Sequence, residues 1–272
     1  MVTEQDVLNN PWMQEGMNEL VQEYELYRLA QDLQQTDKFK KVGINNVAIS
    51  KIPYVKYPGI SVEDCITIHD LAQEVLFISM TENNNNEVAI TFSLEHEKLK
   101  ARGQEYKAIV KGNETEIDLG ADTATCHLLL SPGRNVLVSL HNHPAPMTFS
   151  IFDIMTFIRE RTIGCMIVVT NKGELYYMSK DKHRYGADKA SACLVKAMLE
   201  TNKNAYDGKS INLSKLTKEE MLTMSEKFLY YSVEAGVIYK HARNHELAIS
   251  QEDIENAKIY HEEVRDDDRD ER

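Results

Sequence analysis

The sequence contains no run of about eighteen apolar residues, which excludes an ordinary membrane-crossing helix. No basic leader followed by a short apolar stretch opens it either, so a secreted chain is not expected and the cytoplasm is the expected compartment. Cysteine is scarce: Cys65, Cys126, Cys165 and Cys193 lie far apart, with no Cys-x-x-Cys pair. That spacing argues against a thiolate metal site or a disulfide framework and for buried free thiols. Positive charge is also in short supply, with 31 Lys and Arg against 43 Asp and Glu, a net of −12. Because phosphate contacts need clustered Lys and Arg, a general nucleic-acid binder is not expected. Part of the acidity is local, since residues 246–272 hold eleven Asp or Glu against four Lys or Arg, a net of −7. The final run, Asp266 to Arg272, reads as a solvated tail.

What the sequence does contain is a compact polar cluster. His141-Asn142-His143-Pro144, followed by Ser150 and Asp153, comes directly after the apolar run Val136 to Leu140. Such a run predicts a buried strand, so the histidines sit where the strand opens into a loop. Side chains two apart on a strand share a face, so His141 and His143 can converge on one ion while Asn142 points away. Pro144 and Pro146 end the strand. Ile151, Ile154, Met155, Phe157 and Ile158 then repeat at helical spacing, and a carboxylate in that helix's first turn would face back to the strand end. The expected metal ligands are therefore His141, His143 and Asp153, with a fourth position open, the arrangement of a catalytic rather than a structural zinc. Ser-x-x-Asp is also a helix N-terminal cap, and the chain repeats that pattern at Ser61/Asp64, Thr217/Glu220 and Ser250/Asp253.

At these residues the chain resembles the JAB/MPN, or JAMM, family of zinc metalloproteases, and His-Asn-His-Pro resembles its bacterial RadC-like branch. Five residues separate Pro144 from Ser150, one fewer than the family pattern, a change that a loop can absorb. The resemblance implies one Zn2+ per chain and a glutamate at the start of an early strand. Glu87, after the turn-prone run Asn83 to Asn86 and at the head of Val88 to Leu94, fills that place. Glu95 and Glu97 read as solvated ends of a charged hairpin. By the same resemblance Glu87 serves as general base and acid, and Ser150 donates a hydrogen bond to an oxyanion. The implied reaction is hydrolysis of an amide bond in a protein or peptide, with a ubiquitin-like modifier as one candidate substrate. Two alternatives are a RadC-like DNA-associated protein, which would need a basic groove, and a JAB-fold scaffold without catalysis.

The fold class expected is α/β (α+β), a JAB/MPN-like mixed sheet flanked by helices in a cytidine deaminase-like sandwich. Residues 60–182 form the expected core, with a helix over Ser61 to Met80 and strands over Glu87 to Leu94 and Glu105 to Lys111. A short helix or turn follows over Asp122 to Leu130. After the motif helix come strands over Gly164 to Thr170 and Glu174 to Met178. Residues 1–59 are read as an N-terminal helical extension with a helix over Met13 to Gln35, and residues 183–265 as a C-terminal helical region with helices over 187–202, 218–243 and 251–264. Residues 266–272 are the acidic tail. His69, His96, His127, His183, His241, His245 and His261 have no ligand spacing to the cluster and read as structural or surface residues.

Overall fold

The computed structural model describes residues 39–206 and 211–242. The expected helices Met13 to Gln35 and 251–264, and the acidic tail, lie outside them. The described chain is a mixed α/β structure built on one six-stranded sheet, with strand order β2-β1-β3-β4-β5-β6. The strands are β1 (Val88–Ser93), β2 (Lys107–Lys111), β3 (Leu137–His143), β4 (Ile163–Thr170), β5 (Leu175–Lys180) and β6 (Val237–Ala242). All neighbours are antiparallel except β3 and β4, which run parallel and are joined through a helix, as a parallel pair requires.

Helices cover both faces. After α1 (Asn46–Ser50), the long α2 (Val62–Glu82) packs on β1 and β3. Ser61 caps α2 by accepting the Asp64 N–H, and Glu63 and Asp64 put negative charge in the first turn, where the helix dipole favours it. Its buried stripe, including Ile68, Leu71, Ala72, Val75 and Leu76, meets Ile90, Val138, Leu140 and Ile167 from the sheet. Past the short α3 (His96–Ala101) and α4 (Thr123–Leu129), the opposite face is covered by α5 (Ile151–Arg159), α6 (Ala187–Thr201) and α7 (Lys218–Tyr231). There Phe149, Ile154, Phe157, Met198 and Phe228 pack with Leu137, Met166, Val168 and Met178. Each face therefore has its own apolar core, and alternate strand residues contribute to each.

One expectation is corrected. The helix expected over 218–243 ends at Tyr231, and after a 3-10 turn over Ser232–Ala235 the chain becomes the sixth strand. Gly236 makes the break: its φ of 77° lies in the left-handed region, and a Cβ there would come within 2.5 Å of the Arg184 and Tyr185 backbone. Val237, Ile238 and Tyr239 then suit a strand better than a helix and pair with Lys180, Ser179 and Met178. Residues 183–242 thus give the sheet an edge strand as well as helices. Glu95 and Glu97, expected at a hairpin end, instead flank the start of α3, with exposed side chains.

Candidate metal centre

The site lies at the C-terminal end of β3, where the strand leaves the sheet towards α5. Cross-strand partners share a face, so Ala89 with His141 and Thr91 with Ser139 mark the α5 side of the sheet. His143 follows His141 by two residues, and Glu87 precedes Ala89 by two, so both belong to that side.

His141 Nε2 and His143 Nε2 stand 3.0 Å apart. Asp153 brings Oδ1 to 3.2 Å from the first and Oδ2 to 3.4 Å from the second. Among the described residues these three form a group able to hold a metal ion, with one ligand atom from each lying within 4.8 Å of the others. With metal–ligand bonds of about 2.0–2.1 Å the edge of a tetrahedron is about 3.3–3.4 Å, close to the 3.2 Å between His141 Nε2 and Asp153 Oδ1. His143 Nδ1 lies 3.2 Å from the Met147 carbonyl. Donation through Nδ1–H to that carbonyl leaves Nε2 with its lone pair towards the centre, the usual way an outer contact sets a ligand tautomer.

The two readings of Ser-x-x-Asp are compatible at Asp153. Ser150 is the N-cap of α5: its hydroxyl accepts the Asp153 N–H at 3.2 Å, and Asp153 Oδ2 accepts the Ser150 N–H at 2.7 Å. The reciprocal cap fixes the carboxylate, and the same carboxylate faces both imidazoles. A pattern that usually serves only to cap a helix start here also orients a carboxylate that could hold a metal ion.

The electrostatics describe histidine and carboxylate groups that shift one another. Burial alone would push the His143 imidazole down, but the hydrogen bond and negative charge of Asp153 outweigh it and raise it to about 9. Burial would likewise raise Asp153, yet the charge of His141 and hydrogen bonds from both histidines bring its carboxyl well below the usual range. Burial raises Glu87, and the charges of His143 and His141 oppose the rise only in part. A carboxyl lifted above its ordinary value at a cleft is a stronger base than an exposed one and suited to exchanging a proton there.

These groups line a cavity of about 620 Å³ together with Phe149, Phe152 and Met221. Its wall also carries Lys41, Arg159 and Lys218 alongside Glu114, Glu116 and Asp118, so its charge is of mixed sign. All five residues expected from the sequence, Glu87, His141, His143, Ser150 and Asp153, line this one space. Among the described residues, no helix is long and apolar enough to cross a membrane.

The polar groups on the opposite side of the same strand do not stand out in the sequence. Asn142, fully buried between the histidines, joins a network with Ser79, Asn86 and Asn171. The one signal for it was the Asn83 to Asn86 run, read only as a turn. Asn84 and Asn85 do take left-handed φ values, 50° and 58°, as asparagine can. No protein-family model, curated protein or solved structure matches the chain.

Proposed function

We propose that this chain is a JAB/MPN-type metallopeptidase or isopeptidase, with one zinc ion held by His141, His143 and Asp153. Its substrate would be an amide bond in a protein or peptide, with a ubiquitin-like conjugate among the candidates. The observation that carries this reading is the pair of imidazole Nε2 atoms 3.0 Å apart, each facing one oxygen of the Asp153 carboxylate at 3.2 and 3.4 Å, beside a cavity that Glu87 also lines. Two neutral nitrogens and one carboxylate oxygen are a borderline donor set suited to zinc, and a fourth position remains for water or substrate.

Bound there, zinc would supply Lewis acidity and lower the pKa of a coordinated water. Glu87 accepts the proton from the attacking water and returns it to the departing amine, a double role suited to a carboxyl raised by burial. The Ser150 hydroxyl oxygen accepts the Asp153 N–H, so its own proton is free to donate to the oxyanion of the tetrahedral intermediate. Asp153 stays ionised, and its cap to Ser150 ties ligand and oxyanion donor to one helix start. The mixed charge of the cavity wall supports a protein-like substrate over a nucleic acid, which would favour a basic groove.

Zinc-loaded protein should hydrolyse members of a panel of fluorogenic peptides and ubiquitin-like isopeptide conjugates. Glu87→Gln should keep about one equivalent of zinc while losing about 10²–10⁴-fold in kcat, the range for a general acid–base group. A Glu87→Gln protein that hydrolyses at the wild-type rate, or a wild-type chain that takes up no zinc, would overturn the proposal.

A further inference from the structure

We infer that Asn142 is a positioning residue that holds the Glu87 carboxylate against the metal centre from the opposite face of the sheet; the inference rests on the functional reading above. Glu87 lies just outside the regular ladder. The β1–β3 pairing runs from Ser93↔Leu137 to Ala89↔His141 and stops there, short of the register in which Glu87 would face His143. On its other side Glu87 remains tied to the end of β2, with its N–H donating to Asn113 O at 2.9 Å and its carbonyl accepting from Gly112 N at 2.8 Å. Successive N–H groups of a strand point to opposite neighbours, so the next one, at Val88, is directed to β3. It finds a side chain in place of a β3 carbonyl: Asn142 Oδ1 accepts the Val88 N–H at 2.7 Å.

Asn142 thus spans the gap where β1 separates from β3. Glu87 and both histidines line the cavity, and the amide ties the strands that carry them together. The side chain is itself held. Its Nδ2 donates to Asn171 Oδ1 at 2.8 Å and approaches Ser79 Oγ and Asn86 O, each at 3.2 Å. Asn171 in turn donates to Val42 O and Asn85 O, and the Asn171 N–H donates to the His143 carbonyl. Asn83 Nδ2 donates to the Glu87 carbonyl at 2.7 Å, anchoring the same peptide from the turn. A buried network whose members are paired behaves as a rigid unit, and in it the backbone that carries Glu87 is fixed to the backbone that carries both histidines. Because Asn142 is fully buried away from the cavity, it contributes without touching substrate or metal.

The test combines kinetics with amide exchange on zinc-loaded protein. Asn142→Ala should lower kcat about 10–100-fold, the usual cost of losing an outer positioning contact, while zinc content stays at about one equivalent. In the Glu87→Gln background the same change should cost nothing further, because Asn142 acts through Glu87. Equal losses in both backgrounds would overturn the inference. The Val88 amide should exchange about tenfold faster or more, with Ile90 to Phe92 unchanged. If Asn142→Ala does not fold, Ser79→Ala, which removes one partner of the asparagine amide, should move both readouts the same way by less. If Glu87→Gln leaves hydrolysis intact, the functional reading fails. Exchange then decides alone: an unchanged Val88 amide overturns the positioning role, and a faster one supports it.

Discussion

The two faces of the sheet treat buried polarity in opposite ways. On the α2 face, Ser79, Asn142 and Asn171 are sealed in and satisfy one another, and around them Leu76, Ile90 and Leu140 close an apolar core. On the α5 face, His141, His143 and Glu87 are nearly as buried and Asp153 is half-buried, yet they converge on a cavity. Burial without a cavity obliges polar groups to pair completely and makes the structure stiff. Burial beside a cavity leaves charges whose balance a bound ion can complete, and it shifts their protonation towards chemistry. One strand serves both purposes, because His141-Asn142-His143 alternates between the faces.

That contrast can be broken most severely from the α5 face. Asp153→Ala removes a proposed ligand and half of the capping box, so bound zinc should fall well below one equivalent and hydrolysis should drop at least about 10³-fold. Full metal content by atomic emission would sink the ligand assignment. The cap loss should add about 1 kcal/mol of destabilisation, read by urea unfolding of metal-free protein. From the α2 face, Leu76→Ala empties space in a fully buried position and should cost about 2–5 kcal/mol, with zinc affinity held within a few-fold. A comparable loss of zinc affinity would mean that the two faces are not separable.

The smallest effect sharpens the protonation difference. His143 in the metal-free chain is raised from 6.5 to about 9, so at pH 7.5 it carries a proton that a metal ion must displace. Zinc uptake at that pH should release about one proton, measurable by calorimetry in buffers of different ionisation enthalpy, and affinity should weaken by about tenfold per pH unit below 9. The sign for the metal-free fold is opposite: a raised histidine stabilises it fully below 6.5, and that contribution is lost as pH rises through about 9. Proton release near zero at pH 7.5 would contradict the ion-paired state of the empty cluster.

Much of this site was legible because its spacing is local. A two-residue strand period sets the histidines on one side, and a cap pattern in the next helix returns Asp153 to them. Strand boundaries near Glu87, Leu137 and Ile163, and the α2 and α6 helices, also follow from periodicity and turn residues. The end of α7 is hidden in the sequence because Tyr230, Tyr231 and Val237 to Tyr239 continue an apolar pattern through Gly236. The left-handed glycine there is required by backbone from Arg184 and Tyr185, which lies fifty residues away in the chain.

The sequence by itself determined the residue types of the candidate cluster, their order and the shared side of the strand on which both histidines could lie, because helix and strand periods are properties of neighbouring residues. Only the tertiary structure decided that Glu87, more than fifty residues before His141, faces the same cavity, and that Asn142 ties the two strands at that point. Such contacts depend on sheet register, and register is set by the packing of both faces together.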